Sequence, residues 1–275
     1  MRIAFVLRQS APDVPSVSVV TAEIIACLRE RGVWVDLVVP EDGPLDLAEI
    51  RPTHDLYVLK SKTPLALSLA GALTAAGARV VNTVRSCHLT RDKITATAVL
   101  AASGVPVPAS WTTGRATLLR PLLEEAPLWV KPQRGSQGRG VRRLRGLTDL
   151  DDCEVPTDPY GLPLPLFAQR EVSSDSQDLK VYVVGDELWA LAKPFPARTA
   201  QDKMGTPAHL PPDIRTAALV CGEVLGLELY GVDFLVAGDR FFAVDVNAFP
   251  GYKGAVEASR YLAAYLYERA LRPDA

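Results

Sequence analysis

The sequence predicts a mixed α/β fold, in which a small parallel α/β unit precedes a larger α+β region. Three patterns carry this reading. Strand-like and helix-like segments alternate over roughly the first eighty residues, and β-α-β-α order implies a parallel sheet covered by helices. A glycine-rich hairpin interrupts the middle of the chain. The last third holds several strand-like runs, two of them carrying acids, flanked by two helical patterns.

Arg2 to Leu7 is an apolar run suited to a buried parallel strand. Val19, Val20, Ile24, Ile25 and Leu28 recur at helical spacing, and Gly32 follows as a stop. Val33–Val39 is the next strand, then Asp55–Leu59, a helix from Pro64 to Ala76, and Ala78–Val81. A single helix is expected from Thr90 to Ser103, ended by Gly104, with an extended stretch from Val105 to Pro108 after it. Leu128–Lys131 and Val141–Leu144 flank the glycine-rich segment, so these residues read as a hairpin with a mobile tip. The Pro/Asp-rich residues Asp151 to Pro165 form a loop. Later strands are expected at Leu166–Gln169, Leu179–Val184, Glu187–Lys193, Tyr230–Val236 and Arg240–Val246, with helices at Pro212–Leu225 and Ala255–Ala270.

Composition narrows the function classes. With 48% apolar and 23% charged residues in 275, the chain can bury a core and build more than one subdomain around a shared cleft. A formal net charge of -2 argues against a general nucleic-acid binder. Cys27, Cys87, Cys153 and Cys221 show neither CxxC nor Cys/His metal spacing and read as buried thiols. No apolar stretch approaches the ~18 residues of a membrane span, and the opening MRIAFVL is too short for a signal-peptide core, so the cytoplasm is the expected location. There is no GxGxxG after the first strand, so a dinucleotide site lacks its phosphate loop.

Two segments point to nucleotide chemistry, and a third gains meaning beside them. In Val130-Lys131-Pro132-Gln133-Arg134-Gly135-Ser136-Gln137-Gly138-Arg139-Gly140-Val141, three glycines permit close backbone approach to phosphate oxygens, and Lys131 supplies a point charge at the base. No GK[ST] follows, so this is not a Walker A loop; a flexible hairpin with an incidental lysine is the alternative. Near the C-terminus, Asp245 and Asn247 are two apart on one strand and face the same side, and Asp233 joins them if the two strands form a hairpin. Oxygen donors without histidine or cysteine favour a hard cation such as Mg²⁺, with surface acids as the alternative. Lys93, in Arg91-Asp92-Lys93, reads as a solvated charge when taken alone.

In order, these pieces resemble the ATP-grasp fold and its RimK-like branch. The resemblance runs from about Asn82 onward. It rests on Arg91-Asp92-Lys93; Leu100 to Pro108; Val130-Lys131-Pro132 with Gly135 to Val141; Gln169-Arg170-Glu171-Val172; Asp178 to Gly185; and Gly231-Val232-Asp233 through Asp245 to Gly251. It implies an N-terminal unit at 1–82, a central ATP-grasp subdomain at 83–166 and a C-terminal one at 167–275. Lys93 and Lys131 would contact the phosphates of ATP, and the loop Gly135, Ser136, Gln137, Gly138, Arg139 and Gly140 would close over them. Gln169, Arg170, Glu171 and Val172 would pair with adenine through their backbone, and Asp178 would lie in the same nucleotide site. Asp233, Asp245 and Asn247 would hold Mg²⁺, with Mn²⁺ as an alternative.

The branch's usual Asp-Ile-Arg is Asp178-Leu179-Lys180 here, and its Glu-Val-Asn is Asp245-Val246-Asn247. Both stretches also resemble the inositol-trisphosphate 5/6-kinases of the same fold. Three functions follow: a carboxylate–amine ligase, a small-molecule kinase, or a non-catalytic nucleotide binder. In the ligase, Lys180, Lys193 and Asn247 would stabilise an acyl phosphate. The kinase would need a more basic acceptor pocket, for which Arg8, Lys60, Lys62, Arg85 and Arg198 are candidates. Of the arginines near the glycine loop, Arg139 is expected to touch phosphate, while Arg142, Arg143 and Arg145 are read as mostly solvated. His88 and His209 read as neither ligand nor base, and Thr199–Pro207 as a mobile loop ordered by the second substrate. The acceptor is expected to be a small molecule or peptide, with no nucleic acid or membrane partner; the oligomeric state is open, a homo-oligomer included.

Overall fold

The computed structural model describes the chain apart from residues 12–13, 16, 136–137, 174–176, 195–198 and 273–275. The first layer is the expected parallel sheet. Its strands β1 (Arg2–Val6), β4 (Trp34–Val38), β5 (Leu56–Leu59) and β6 (Val80–Val81) lie in the order β4-β1-β5-β6, after a small hairpin of β2 (Gln9–Ala11) and β3 (Val14–Pro15) has left the end of β1. Helix α1 (Val19–Glu30) starts at Ser18, whose side chain accepts from the Thr21 N–H. Helix α2 (Pro64–Ala75) starts the same way at Thr63, with proline at its first position.

The single helix expected at 90–103 is two. Helix α3 (Val84–Arg91) stops at Asp92, and α4 (Lys93–Ala102) begins there. The cause is the Asp92 side chain, whose Oδ1 accepts from the Ile94 and Thr95 N–H groups at 3.1 Å each. That carboxylate serves better as a cap than as a helix interior, and the break sets Lys93 at the head of α4.

A second sheet has the order β7-β10-β8-β9, from β7 (Ser110–Thr113), β8 (Leu128–Pro132), β9 (Arg142–Leu144) and β10 (Leu166–Arg170), with α5 (Arg120–Glu125) and α6 (Leu147–Asp151) beside it. Here β8 and β9 form the expected hairpin. The boundary expected at 166/167 falls inside β10, which lies between β7 and β8 and belongs with the central unit.

The third sheet is β13-β12-β11-β14-β15, from β11 (Gln177–Val184), β12 (Glu187–Pro194), β13 (Thr206–Pro207), β14 (Leu229–Ala237) and β15 (Arg240–Ala248). Period-two alternation divides its faces. Leu179, Val181, Val183, Val232, Phe234 and Val246 are buried in one core with Ile214, Ala218 and Cys221 of α8 (Pro212–Leu225). On the opposite face Tyr182, Val184 and Leu229 pack against Leu262 and Leu266 of α9 (Ala258–Leu271), while Lys180 and Asp178, farther along β11, leave that core. One face is therefore core at one end and polar at the other.

Thr199–Pro207, expected as a mobile loop, contains a short helix, α7 (Ala200–Met204), and β13. Thr199 and Asp202 form a reciprocal capping box that defines the helix start. Gly205 follows at φ +71, and a Cβ there would come within 2.8 Å of the Ala192 carbonyl oxygen. Among the described residues no helix is long and apolar enough to cross a membrane.

Candidate functional site

A cleft of about 600 Å³ opens between the glycine hairpin, the second sheet and the polar end of the third. Twelve of the expected site residues line it: Lys93, Lys131, Gly135, Gly138, Arg139, Gln169, Arg170, Glu171, Val172, Asp178, Asp233 and Asp245. Alternation on β8 explains its wall, because Trp129 and Lys131 face the cleft while Leu128 and Val130 enter the core.

Register builds the floor. Lys180 is the cross-strand neighbour of Asp233, Asp233 of Asp245, and Gly231 of Asn247, so these side chains share one face. The Lys180 ammonium donates to Asp233 Oδ2 at 2.8 Å. Asn247 Nδ2 donates to Asp245 Oδ2 at 2.9 Å, and Lys93 Nζ stands 3.6 Å from Asp245 Oδ1. Lys93 also donates to the Gly135 carbonyl at 3.1 Å, tying the head of α4 to the glycine loop. Lys193 lies opposite Asp178 and donates to the Tyr182 hydroxyl at 3.1 Å. Gly140 sits at the hairpin at φ +72, a left-handed backbone that suits glycine. Lys180, Lys193, Asn247 and Gly140 are outside the cleft lining itself. Ser136, Gln137 and Arg198 lie outside the described residues.

Burial leaves two polar atoms here without partners among the described residues, Gln169 Nε2 and Asp178 Oδ1. The other Gln169 atom, Oε1, accepts from Lys131 Nζ at 2.7 Å. Burial, and then repulsion from Asp233, push the Asp178 carboxyl up to about 6, against the pull of Lys131 and Lys180. Burial lowers Lys131, and lowers Lys193 to about 8 with help from nearby Lys180.

Several charges have settled positions. Arg170 donates to the Leu122 and Ala126 carbonyls at 2.7 Å and to Glu125, so its side chain closes the end of α5. Arg143, read as mostly solvated, lines the cleft and donates to Glu171 at 2.8 Å. Arg142 turns to the Asp152 carbonyl. Lys60, an acceptor candidate from the sequence, instead donates to the Phe249 and Pro250 carbonyls at 2.8 and 2.6 Å. Arg8, Arg85, His88 and His209 are exposed. Alternation along β8 carried a signal for Trp129; no local pattern marked Lys60, whose partners are far away in sequence.

No three His, Cys, Asp or Glu side chains form a ready metal cage among the described residues. The donors on the floor are hard oxygens, with Lys93 and Lys180 beside the carboxylates as positive charges. Such a set fits a cation that retains water and phosphate oxygens, as Mg²⁺ does.

A family model for the RimK-like ATP-grasp domain matches residues 90–266. The chain belongs to the RimK-like ATP-grasp family. Relatives in sequence include a probable alpha-L-glutamate ligase of Haemophilus ducreyi, 27% identical over 196 residues, covering 66% of this chain and 62% of that protein. The alpha-aminoadipate–LysW ligase LysX of Saccharolobus solfataricus is 26% identical over 207 residues, covering 70% of this chain and 74% of that one. The match thus spans less than two thirds of the first relative's length. Among solved structures, a RimK domain ATP-grasp protein of Sphaerobacter thermophilus aligns with a TM-score of 0.74 at 18% identity, covering 97% of this chain and all of that one. The D-alanine–D-alanine ligase of Bacillus anthracis complexed with ATP aligns with a TM-score of 0.72 at 17% identity, covering 99% and 98%. The structural likeness accordingly covers the N-terminal parallel sheet as well as the residues the family model matches.

Proposed function

We propose that this protein is an ATP-dependent carboxylate–amine ligase that works through an acyl phosphate. The observation that carries the reading is the pair of acids on the cleft floor, Asp233 and Asp245, matched by Lys180 just behind the lining and by Lys93 within it. The ligase names of the sequence relatives support the same reading.

In this scheme Lys93, Lys131 and Arg139 neutralise the triphosphate, and the glycine backbone approaches its oxygens. The buried Gln169 and Asp178 atoms that lack partners would be satisfied by the nucleotide or by its water. Asp233, Asp245 and Asn247 would hold a divalent cation, Mg²⁺ or Mn²⁺, whose charge offsets that of the β- and γ-phosphates. A carboxylate oxygen of one substrate attacks the γ-phosphorus, the bond to the β-bridging oxygen breaks, and ADP leaves. An amine nitrogen then attacks the acyl carbon, the bond from that carbon to the phosphate oxygen breaks, and inorganic phosphate departs as the amine loses a proton. Lys180, Lys193 and Asn247 would stabilise the charge that develops on the acyl oxygen. The cytoplasm is the proposed location of the reaction.

Product accounting tests the reading. Protein, Mg-ATP and panels of acids and amines are incubated, and ADP and free phosphate are measured separately. ADP matched by free phosphate only when acid and amine are both present is the expected result. ADP without free phosphate, together with a phosphorylated acceptor, would replace the ligase by a kinase.

A further inference from the structure

Two cations near the floor, Lys62 and Arg91, form no ion pair among the described residues. Lys62 follows the carboxyl end of β5, two residues after Lys60, which is bonded to the Phe249 and Pro250 carbonyls just beyond β15. That tie brings the Lys62 segment against the end of the acidic strand, where burial acts most on its charge, followed by Cys87, Asp245, Lys180 and Arg91. Arg91 ends α3, immediately before the Asp92 cap and Lys93, and has Arg134 as its charged neighbour. Both side chains are half-buried, and neither has a hydrogen-bond or ion-pair partner among the described residues. The two floor acids beside them are already matched, Asp233 by Lys180 and Asp245 by Lys93.

Desolvated cations without a partner are costly, and repulsion between them adds to the cost. Such a group persists where an anion completes it in the working complex. The nucleotide is a poor candidate, because neither Lys62 nor Arg91 lines the cleft beneath the glycine hairpin. The N-terminal sheet offers a better one. Its order, β4-β1-β5-β6, reverses direction between β1 and β5, and ligands of open α/β sheets bind outside the carboxyl ends of strands at such a switch point. Lys62 stands at that end of β5.

We propose that Lys62 and Arg91 form an anion subsite for the acceptor, binding a carboxylate or phosphate group of it beside Asp245. The subsite rests on the ligase reading for its role, and gives the acceptor a second, non-reacting anionic group. The neighbouring Lys60 is spent on backbone carbonyls and does not take part.

The test is calorimetric titration of the full chain with glutarate and with inorganic phosphate, each at saturating Mg-ADP. The wild-type complex is expected to bind at least one of the two. Lys62→Met should weaken that binding about tenfold or more, with Mg-ADP affinity held within about twofold and thermal stability equal or higher. Lys62→Arg, which retains the charge, should restore much of the affinity. The anion that depends on Lys62 identifies the group as carboxylate or phosphate. Unchanged anion affinity in Lys62→Met, no binding of either anion to the wild type, or a parallel loss of Mg-ADP affinity would overturn the subsite. Failure of the wild type to bind Mg-ADP would instead sink the ligase reading, and the same anion titrations without nucleotide would then judge the subsite alone.

Discussion

Lys180 and Asp233 face each other across β11 and β14, and the lysine ammonium donates to the carboxylate at 2.8 Å. The lysine side chain is 7% exposed and the aspartate 30%, so the two lose unequal amounts of water. Removing the acid leaves the more buried charge alone. Asp233→Ala should therefore destabilise the fold by about 2 kcal/mol, as expected for a lost hydrogen bond to a charged group. Lys180→Met in the same chain should return part of that loss, since the stranded cation is then gone. Denaturant midpoints of the two single variants and the double variant measure the coupling; strict additivity would mean the pair contributes nothing.

Lys131 faces the cleft from β8 and is half-buried, with Gln169 Oε1 as its hydrogen-bond partner. If it neutralises a nucleotide phosphate, Lys131→Ala should weaken ATP binding about tenfold or more, roughly 1.4 kcal/mol or above. Stability should fall little, because burial already disfavours the charged form. Titration calorimetry with a non-hydrolysable ATP analogue checks this, and unchanged affinity would remove Lys131 from the phosphate site.

Much of this site was legible because its parts are local. Leu128–Val130 and Arg142–Leu144 pair as one hairpin, and Asp245 and Asn247 share a strand face by simple alternation. What stayed hidden depends on tertiary partners. The break at Asp92 is hidden because Thr90 to Ser103 reads as one helical pattern, and only the cap bonds to Ile94 and Thr95 reveal two helices. The boundary inside β10 was invisible because pairing with β7 and β8, not composition, assigns that strand. Lys60 reads from sequence as a candidate only for the kinase's acceptor pocket, because nothing near it foretells carbonyls 189 and 190 residues away.

Asn82 makes another such long-range tie. Its Nδ2 donates to the Leu229 carbonyl at 2.6 Å, and its Oδ1 accepts from the Glu228 and Leu229 N–H groups at 2.8 and 3.0 Å. The residue is fully buried, so water cannot replace it. Asn82→Ala should cost about 3 kcal/mol by leaving buried backbone groups unsatisfied. Asn82→Asp keeps the acceptor but loses the donor and buries a carboxylate, so it should be no milder. Thermal or urea unfolding decides, and a loss below about 0.5 kcal/mol would show that the tie can be dispensed with.

Lys60 makes stability depend on pH in a definite direction. Burial, reinforced by the charge of Lys62, pulls its ammonium from 10.5 down to about 7. Its stacking over the Phe249 ring, 4.2 Å from the centroid, favours the charged form but does not offset that burial. Below about 7 the folded and unfolded chains both hold the proton, and this residue contributes no slope. Between about 7 and 10.5 the unfolded chain holds a proton that the folded chain has released, so stability rises with pH across that window. The neutral amine still has two N–H groups for the Phe249 and Pro250 carbonyls, so releasing the proton does not break the tie. Lys131, Lys62 and Lys193 are lowered in the same sense and add to the slope in every variant that retains them. Lys60→Met should remove the Lys60 share, giving a shallower rise in urea midpoint between pH 7 and 10. It should also lower stability throughout, because two carbonyls lose their donor. Equal slopes for wild type and variant would mean that Lys60 stays charged in the fold, held by the Phe249 ring and the two carbonyls more strongly than burial opposes it.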